Sequence, residues 1–195
     1  CIRDRSGRTR LYRLMNPEEA VFAYQFLVDL NRIGSQRFLP MIVKTARLLS
    51  RSYMERLISI CIYGSVARGC ANETSDVDML TVIEDLSGSF GKRLEELYGA
   101  VAPIEDERRF LFRNRVFTDL SFYPLSRDEA ARFLPIYLDI IDDGVIIFDR
   151  AGFLKKILSQ CRSLVEEARG EKVAIKGGWF WTLDPEMPIG EKIAV

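Results

Sequence analysis

Residues 63–80 read YGSVARGCANETSDVDML, and three features within them could do chemistry. Gly64 and Ser65 follow an apolar run and allow a sharp bend. Arg68 stands three positions beyond Ser65, and Asp76 and Asp78 flank Val77. On an extended strand alternate side chains share a face, so the two aspartates point the same way with carboxylates roughly 6–7 Å apart. That spacing lets both oxygens reach one hard cation, or hold two cations about 3.5–4 Å apart. Buried without a counter-charge, each carboxylate would cost on the order of several kcal/mol. Either the strand end is wet or Mg²⁺ belongs there. A strand that passes through Gly64-Ser65 into a helical turn exposes backbone N–H groups and a hydroxyl, which suits phosphate. The run GSVARG is not a Walker A loop, because no Lys-Ser/Thr follows its second glycine. Arg68 can point at the same anion or lie on the outer surface. A phosphate seat beside a carboxylate seat describes a nucleoside triphosphate with its Mg²⁺.

Composition narrows the alternatives. The 195 residues suit one domain, or one domain with an appendage, and 48% apolar with 29% charged residues is a globular balance. The chain contains no histidine. That removes Ser-His-Asp and Cys-His nucleophilic catalysis, histidine metal sites and a histidine general base. Chemistry is left to carboxylates, Lys/Arg, hydroxyls or a carboxylate-bound metal. Cys1, Cys61, Cys70 and Cys161 form no C-x-x-C pair, so neither zinc nor a disulfide scaffold is indicated, and a reducing, cytoplasmic setting fits. No apolar run approaches the roughly 18–20 residues of a membrane span, and the start CIRDRSGRTR is not a signal peptide. It also lacks Met, which suggests a fragment or a trimmed start. The sequon Asn72-Glu73-Thr74 is incidental without a secretory signal.

The elements that must position these groups follow from local signals. Residues 1–15 read as a basic hairpin turning at Ser6-Gly7, with Arg3, Arg5, Arg8, Arg10 and Arg13 against Asp4. Asn16, Pro17, Glu18 and Glu19 form a helix start, and Gly34 is placed to end that helix. Residues 38–55 have helical spacing. RLISICIY (56–63) reads as a buried strand, 65–69 as a helical turn, 70–75 as a polar loop and VDMLTVIE (77–84) as a second strand. A helix over about 89–101 follows. ERRFLFRN and RVFTDLSFYPL read as a strand pair turning at Asn114. Ser126 with Glu129 is a capping box, 134–144 a short helix closed by Gly144, 145–150 a strand and 152–170 a helix closed by Gly170. The tail is aromatic and turn-rich. The expected fold class is α/β (α+β): a small mixed sheet flanked by helices, with an N-terminal hairpin. The expected division is 1–15 hairpin, 16–55 helical, 56–150 core, and 151–195 C-terminal helix and tail.

The pattern Gly-Ser-x-Ala-Arg-Gly followed by Ser-Asp-x-Asp resembles the signature of DNA polymerase β-like nucleotidyltransferases, above all their minimal prokaryotic group. The likeness covers roughly 56–124, and the segments 135–157 and GGWFWTLDPEMPIGE resemble the C-terminal part of archaeal members. The resemblance implies a third carboxylate on a neighbouring strand. Asp119, in RVFTDLSFY, is the candidate, with Glu105 and Asp106 as rivals that look like a turn. It implies further that Gly64 and Ser65 (and Arg68, if it faces inward) hold phosphates. Asp76, Asp78 and Asp119 would hold two Mg²⁺, and Asp119 would help deprotonate an acceptor hydroxyl while pyrophosphate leaves. Minimal members act as antitoxins on a toxin of the HEPN type. That toxin's signature contains histidine, so any such partner is a separate chain. The basic hairpin also resembles the wing of a winged helix-turn-helix domain, which would imply an upstream DNA-binding domain; a solvated surface hairpin is the alternative. A second function, from another class, is a transcriptional regulator whose transferase-like domain senses nucleotide without turnover. Lys155 and Lys156 read as a solvated helix face, and Trp179, Phe180 and Trp181 as a core or interface plug rather than a base platform.

Overall fold

The computed structural model describes the backbone of residues 2–6, 9–13, 15–175, 178–182 and 189–191, and side chains within 15–173, 180–182 and 189–191. An antiparallel hairpin of β1 (Ile2–Ser6) and β2 (Thr9–Arg13) leads in; the side chains of its arginines lie outside the described residues. Helix α1 (Pro17–Phe26) starts as its sequence dictates. The Asn16 side chain accepts from the Glu18 N–H at 2.9 Å, and Glu18 and Glu19 sit in the first turn. Then come α2 (Leu39–Tyr53), β3 (Leu57–Tyr63), α3 (Gly64–Arg68) and β4 (Val77–Ile83). They are followed by α4 (Phe90–Ala100), α5 (Glu105–Arg113) and β5 (Leu120–Ser126). The C-terminal part holds α6 (Arg127–Ala130), α7 (Ile136–Asp143), β6 (Val145–Asp149), α8 (Phe153–Glu167) and a hairpin of β7 (Glu171–Ile175) with β8 (Gly178–Thr182).

The central sheet has the order β5-β4-β3-β6, with β4 and β5 parallel and the other neighbours antiparallel. Its central strands are apolar on both faces because both are covered. On one face Ile60, Ile62, Val77 and Met79 pack with Ile42, Ala46 and Leu49 of α2, Leu97 of α4 and Leu111 of α5. On the other, Cys61, Leu80 and Val82 pack with Ala130 of α6, Tyr137 of α7 and Leu154 and Ile157 of α8. Burying each large aliphatic side chain contributes about 1.5–3 kcal/mol, so the two layers fix the sheet that carries the site. No helix among the described residues is long and apolar enough to cross a membrane.

The α/β expectation holds, with local corrections. ERRFLFRN is not a strand: it lies in α5, where Glu105, Asp106 and Glu107 complement the helix N-terminus and the buried Glu107 and Leu111 stand one turn apart. The strand expected over RVFTDLSFYPL begins only at Leu120. The first helix stops at Phe26 instead of Gly34, since Leu27 turns extended and the Val28 N–H joins the sheet edge at Ile147 O, 2.8 Å away. The tail forms strands where turns were expected. Trp181 packs partly buried against the α7–α8 layer, Phe180 is exposed, and the Trp179 side chain lies outside the described residues. Lys155 and Lys156 are exposed, as read from sequence.

Gly34 does other work. Its N–H donates to Ala67 O at 3.0 Å, and that of Ser35 to Val66 O at 3.1 Å, which ties the approach to α2 onto α3. A Cβ on Gly34 would lie 2.5 Å from the Cα and N of Gly69, backbone atoms that cannot turn away. Gly34→Ala is therefore expected to lower stability by about 1–3 kcal/mol, the usual range for overpacking. Gly91→Ala, in α4 with nothing within 4 Å of the added Cβ, is expected to be neutral or stabilising. Thermal denaturation of the two variants checks the contrast.

Candidate active site

Gly64 ends the β3 run and opens α3 with φ +71°, a left-handed conformation that glycine adopts without steric cost. The bend is crowded by design. A Cβ at Gly64 would sit 2.2 Å from Asp78 Oδ2, so only a hydrogen leaves room for that carboxylate beneath the turn. Tyr63 and Asp78 are direct cross-strand partners, and Asp78 lies opposite Ser121 in the parallel register. The Ser65 hydroxyl has no hydrogen-bond partner among the described residues.

Asp76 is delivered by a locked loop. Asn72 Oδ1 accepts from the Thr74 N–H at 2.8 Å and from the Ser75 hydroxyl at 3.1 Å, and Arg37 donates to Ala71 O and Asn72 O at 3.0 and 2.5 Å. The sequon asparagine is thus the pin of the turn. Asp76 Oδ1 then accepts the N–H of Asp119 at 3.0 Å, while Val77 donates to Asp119 O at 2.9 Å. The mouths of β4 and β5 are joined at Asp76 and Asp119. Asp119 stands at the entrance of β5, not mid-strand. Its Oδ1 accepts from the Leu120 N–H at 2.8 Å and its Oδ2 from Arg108 at 3.0 Å.

Burial pushes the Asp78 carboxyl up from its ordinary pKa. The Ser121 hydroxyl, hydrogen-bonded to it, pulls the other way, the Asp76 charge raises it further, and Arg68 lowers it. Tyr63 is also pushed up, first by burial and then by the Asp78 charge. Tyr98, whose hydroxyl donates to Leu120 O at 2.9 Å, is raised by burial and then by Asp119 and Asp76. Asp76 is thus close enough for its charge to act on Asp78. Arg68 is shared: it faces Asp78 electrostatically and forms an ion pair with Asp143 of α7 at 3.9 Å.

The chemistry of this donor set fits a hard divalent cation at Asp76 and Asp78. A desolvated carboxylate beside a second one gains most from a counter-ion with oxygen preference. Among the described residues, however, no three acidic or thiol side chains already converge as a metal cage. Asp119 is adjacent in register, but its carboxylate is turned onto Arg108. The rivals Glu105 and Asp106 belong to the first turn of α5, and Glu105 pairs with Arg108 at 3.2 Å. Sequence reading missed Ser121 and Arg108. Ser121 was accessible through period two from Asp119; Arg108 was not, because its segment read as a strand.

The sequence model of the family described as nucleotidyltransferase domain matches residues 44–170. A Methanocaldococcus jannaschii protein bearing the name "Putative protein adenylyltransferase MJ1305" is 29% identical over 121 residues, 61% of this chain and 77% of that protein. A toxin–antitoxin structure with AMP-PNP is similar at TM-score 0.42 and 18% identity, covering 65% of this chain and 90% of that one. The toxin–antitoxin MntA-HepT structure is similar at TM-score 0.37 and 15% identity, covering 66% and 92%.

Proposed function

Given that the chain belongs to the nucleotidyltransferase domain family, we propose that it transfers AMP from ATP to an acceptor hydroxyl, with Asp76, Asp78 and Asp119 as its working acids. The observation that carries this reading is the packing of Asp78 under Gly64, which sets that carboxylate directly against the bend. The Ser65 hydroxyl and the backbone N–H groups of the bend hold phosphate oxygens, with Arg68 able to exchange Asp143 for the same anion. Asp76 and Asp78 would hold Mg²⁺, which would supply neutralisation of the triphosphate charge. Ser121 keeps the Asp78 carboxylate oriented and its charged form favoured. Asp119 accepts the acceptor's proton as the new bond to the α-phosphorus forms and the bond to pyrophosphate breaks. Positioning and charge neutralisation dominate such a reaction, which needs no histidine.

AMP as the transferred group is supported by the adenylyltransferase name of the archaeal relative, and a protein acceptor by the same name. The resemblance of GSVARG and SDVD to the minimal antitoxin group points to a separate HEPN-type chain as that acceptor. The test uses ATP labelled at the α- or γ-phosphate, with Mg²⁺ and a HEPN-type candidate encoded alongside this chain. Label from the α-position is expected on the partner and label from the γ-position in pyrophosphate. Transfer of the γ-label would overturn the nucleotidyl reading in favour of a kinase. Tight binding of ATP without release of pyrophosphate would favour a nucleotide sensor.

A further inference from the structure

Arg108 stands between two carboxylates. From α5 its guanidinium donates to Asp119 Oδ2 at 3.0 Å and to Glu105 Oε2 at 3.2 Å, while its Nε is buried without a hydrogen-bond partner among the described residues. The contact turns the Asp119 carboxylate over α5, although its backbone is bonded to Asp76. Beside the guanidinium lies a pocket of about 190 Å³ lined by Glu105, Arg108, Arg109, Phe112, Val116 and Thr118. That is smaller than the roughly 300–1,000 Å³ of ordinary ligand pockets and suits a single oxyanion. Arg109 lines it too and has no carboxylate partner among the described residues. Two guanidinium groups on one small pocket, one of them held by an acid that the reaction needs elsewhere, form an exchangeable arrangement.

We propose, resting on the transfer reaction above, that Arg108 is a positioning residue that holds Asp119 apart from Asp76 and Asp78 in the free protein. An oxyanion carried by the acceptor beside its hydroxyl draws Arg108 into the α5 pocket and releases Asp119. The acceptor class is thereby narrowed to one with a phosphate or carboxylate next to the reacting hydroxyl. The energetics permit the exchange. Arg108 and Asp119 side chains are 40% and 54% exposed, and ion pairs so exposed are weak in water. An oxyanion that meets two guanidinium groups in a forked geometry is a stronger partner than one solvated carboxylate. No acid of the chain is lost in the exchange: Glu105 stays at the pocket rim, and Asp119 gains the space beside Asp76.

The experiment measures Mn²⁺ binding to the whole chain by electron paramagnetic resonance, without nucleotide. Arg108→Gln is expected to tighten Mn²⁺ binding about threefold to fivefold, the size of a weak exposed ion pair. Glu105→Gln, which leaves Arg108 wholly to Asp119, is expected to weaken it about twofold. Asp119→Asn in the Arg108→Gln background is expected to erase the gain, which a merely structural role for Arg108 would not do. Sodium sulfate, compared with sodium chloride at equal ionic strength, is expected to tighten Mn²⁺ binding in wild type and not in Arg108→Gln. Matched thermal denaturation confirms that the variants fold. Unchanged or weaker Mn²⁺ binding in Arg108→Gln, or a sulfate effect equal in both proteins, overturns the proposal. Should these shifts occur in a wild type that transfers no AMP, the positioning role stands and the transfer reaction fails. AMP transfer without these shifts removes the positioning role alone.

Discussion

Asp78→Asn is expected to abolish AMP transfer while leaving the metal-free protein at least as stable as wild type. The reason is the opposition between burial and charge at this carboxyl. Its folded pKa is raised, first by burial and then by Asp76, against the opposing pull of Ser121. A carboxyl raised on folding contributes its stability when protonated. That contribution is complete below the ordinary carboxylate range and is lost as pH rises through the raised folded value. At neutral pH the ionised Asp78 therefore works against the fold, and asparagine removes the conflict while still accepting from Ser121. The variant's gain in melting temperature is expected to be absent at the acid end and to grow with pH. Transfer is expected to fall about 10²–10³-fold or more, the scale seen when one group that stabilises transition-state charge is removed. Mg²⁺ is expected to raise the melting temperature of wild type and not that of the variant, since a cation stabilises only the state that binds it. A variant that retains wild-type transfer would remove Asp78 from the mechanism.

Gly64→Ala is expected to damage stability and transfer together. The left-handed backbone at φ +71° costs a non-glycine residue about 1–2 kcal/mol. The added Cβ, 2.2 Å from Asp78 Oδ2, adds a clash that only movement of the carboxylate or the bend can relieve. Either movement separates the phosphate seat from the acid pair, so transfer is expected to fall by about 10² or more. A double-mutant cycle separates the two causes. In an Asp78→Ala background the steric part vanishes and only the backbone part remains, so denaturation should show coupling of about 1 kcal/mol or more. Additive losses would mean that the bend does not rest on Asp78.

Much of this arrangement was legible because its signals are local. The apolar run 57–63, the alternation through Asp76 and Asp78, and the Ser126–Glu129 capping box each specify their element within a few residues. The misreadings came where long-range contacts decide. In ERRFLFRN the aromatic residues alternate like a strand, yet the acids at its start and the one-turn spacing of Glu107 and Leu111 carry it into a helix against α2. Gly34 looked like a helix stop because glycine often is one; its role is instead contact with Gly69, far along the chain. Asp119 could be picked out as an acid, but the partner of its carboxylate could not. Arg108 meets it only because α5 returns the chain to the mouth of β5. Ser121 is intermediate: its face follows from period two, but its pairing with Asp78 depends on the parallel register.

The sharpest test of the metal and phosphate assignment is a crystal structure of the chain with Mn²⁺ and a non-hydrolysable ATP analogue, with Mn²⁺ located by its anomalous signal. Carboxylate oxygens of both Asp76 and Asp78 are expected at about 2.0–2.3 Å from one ion. The terminal phosphates are expected at the backbone N–H groups of Gly64 and Ser65. An ion bound away from these two aspartates, or a triphosphate seated elsewhere on the sheet, would contradict the assignment.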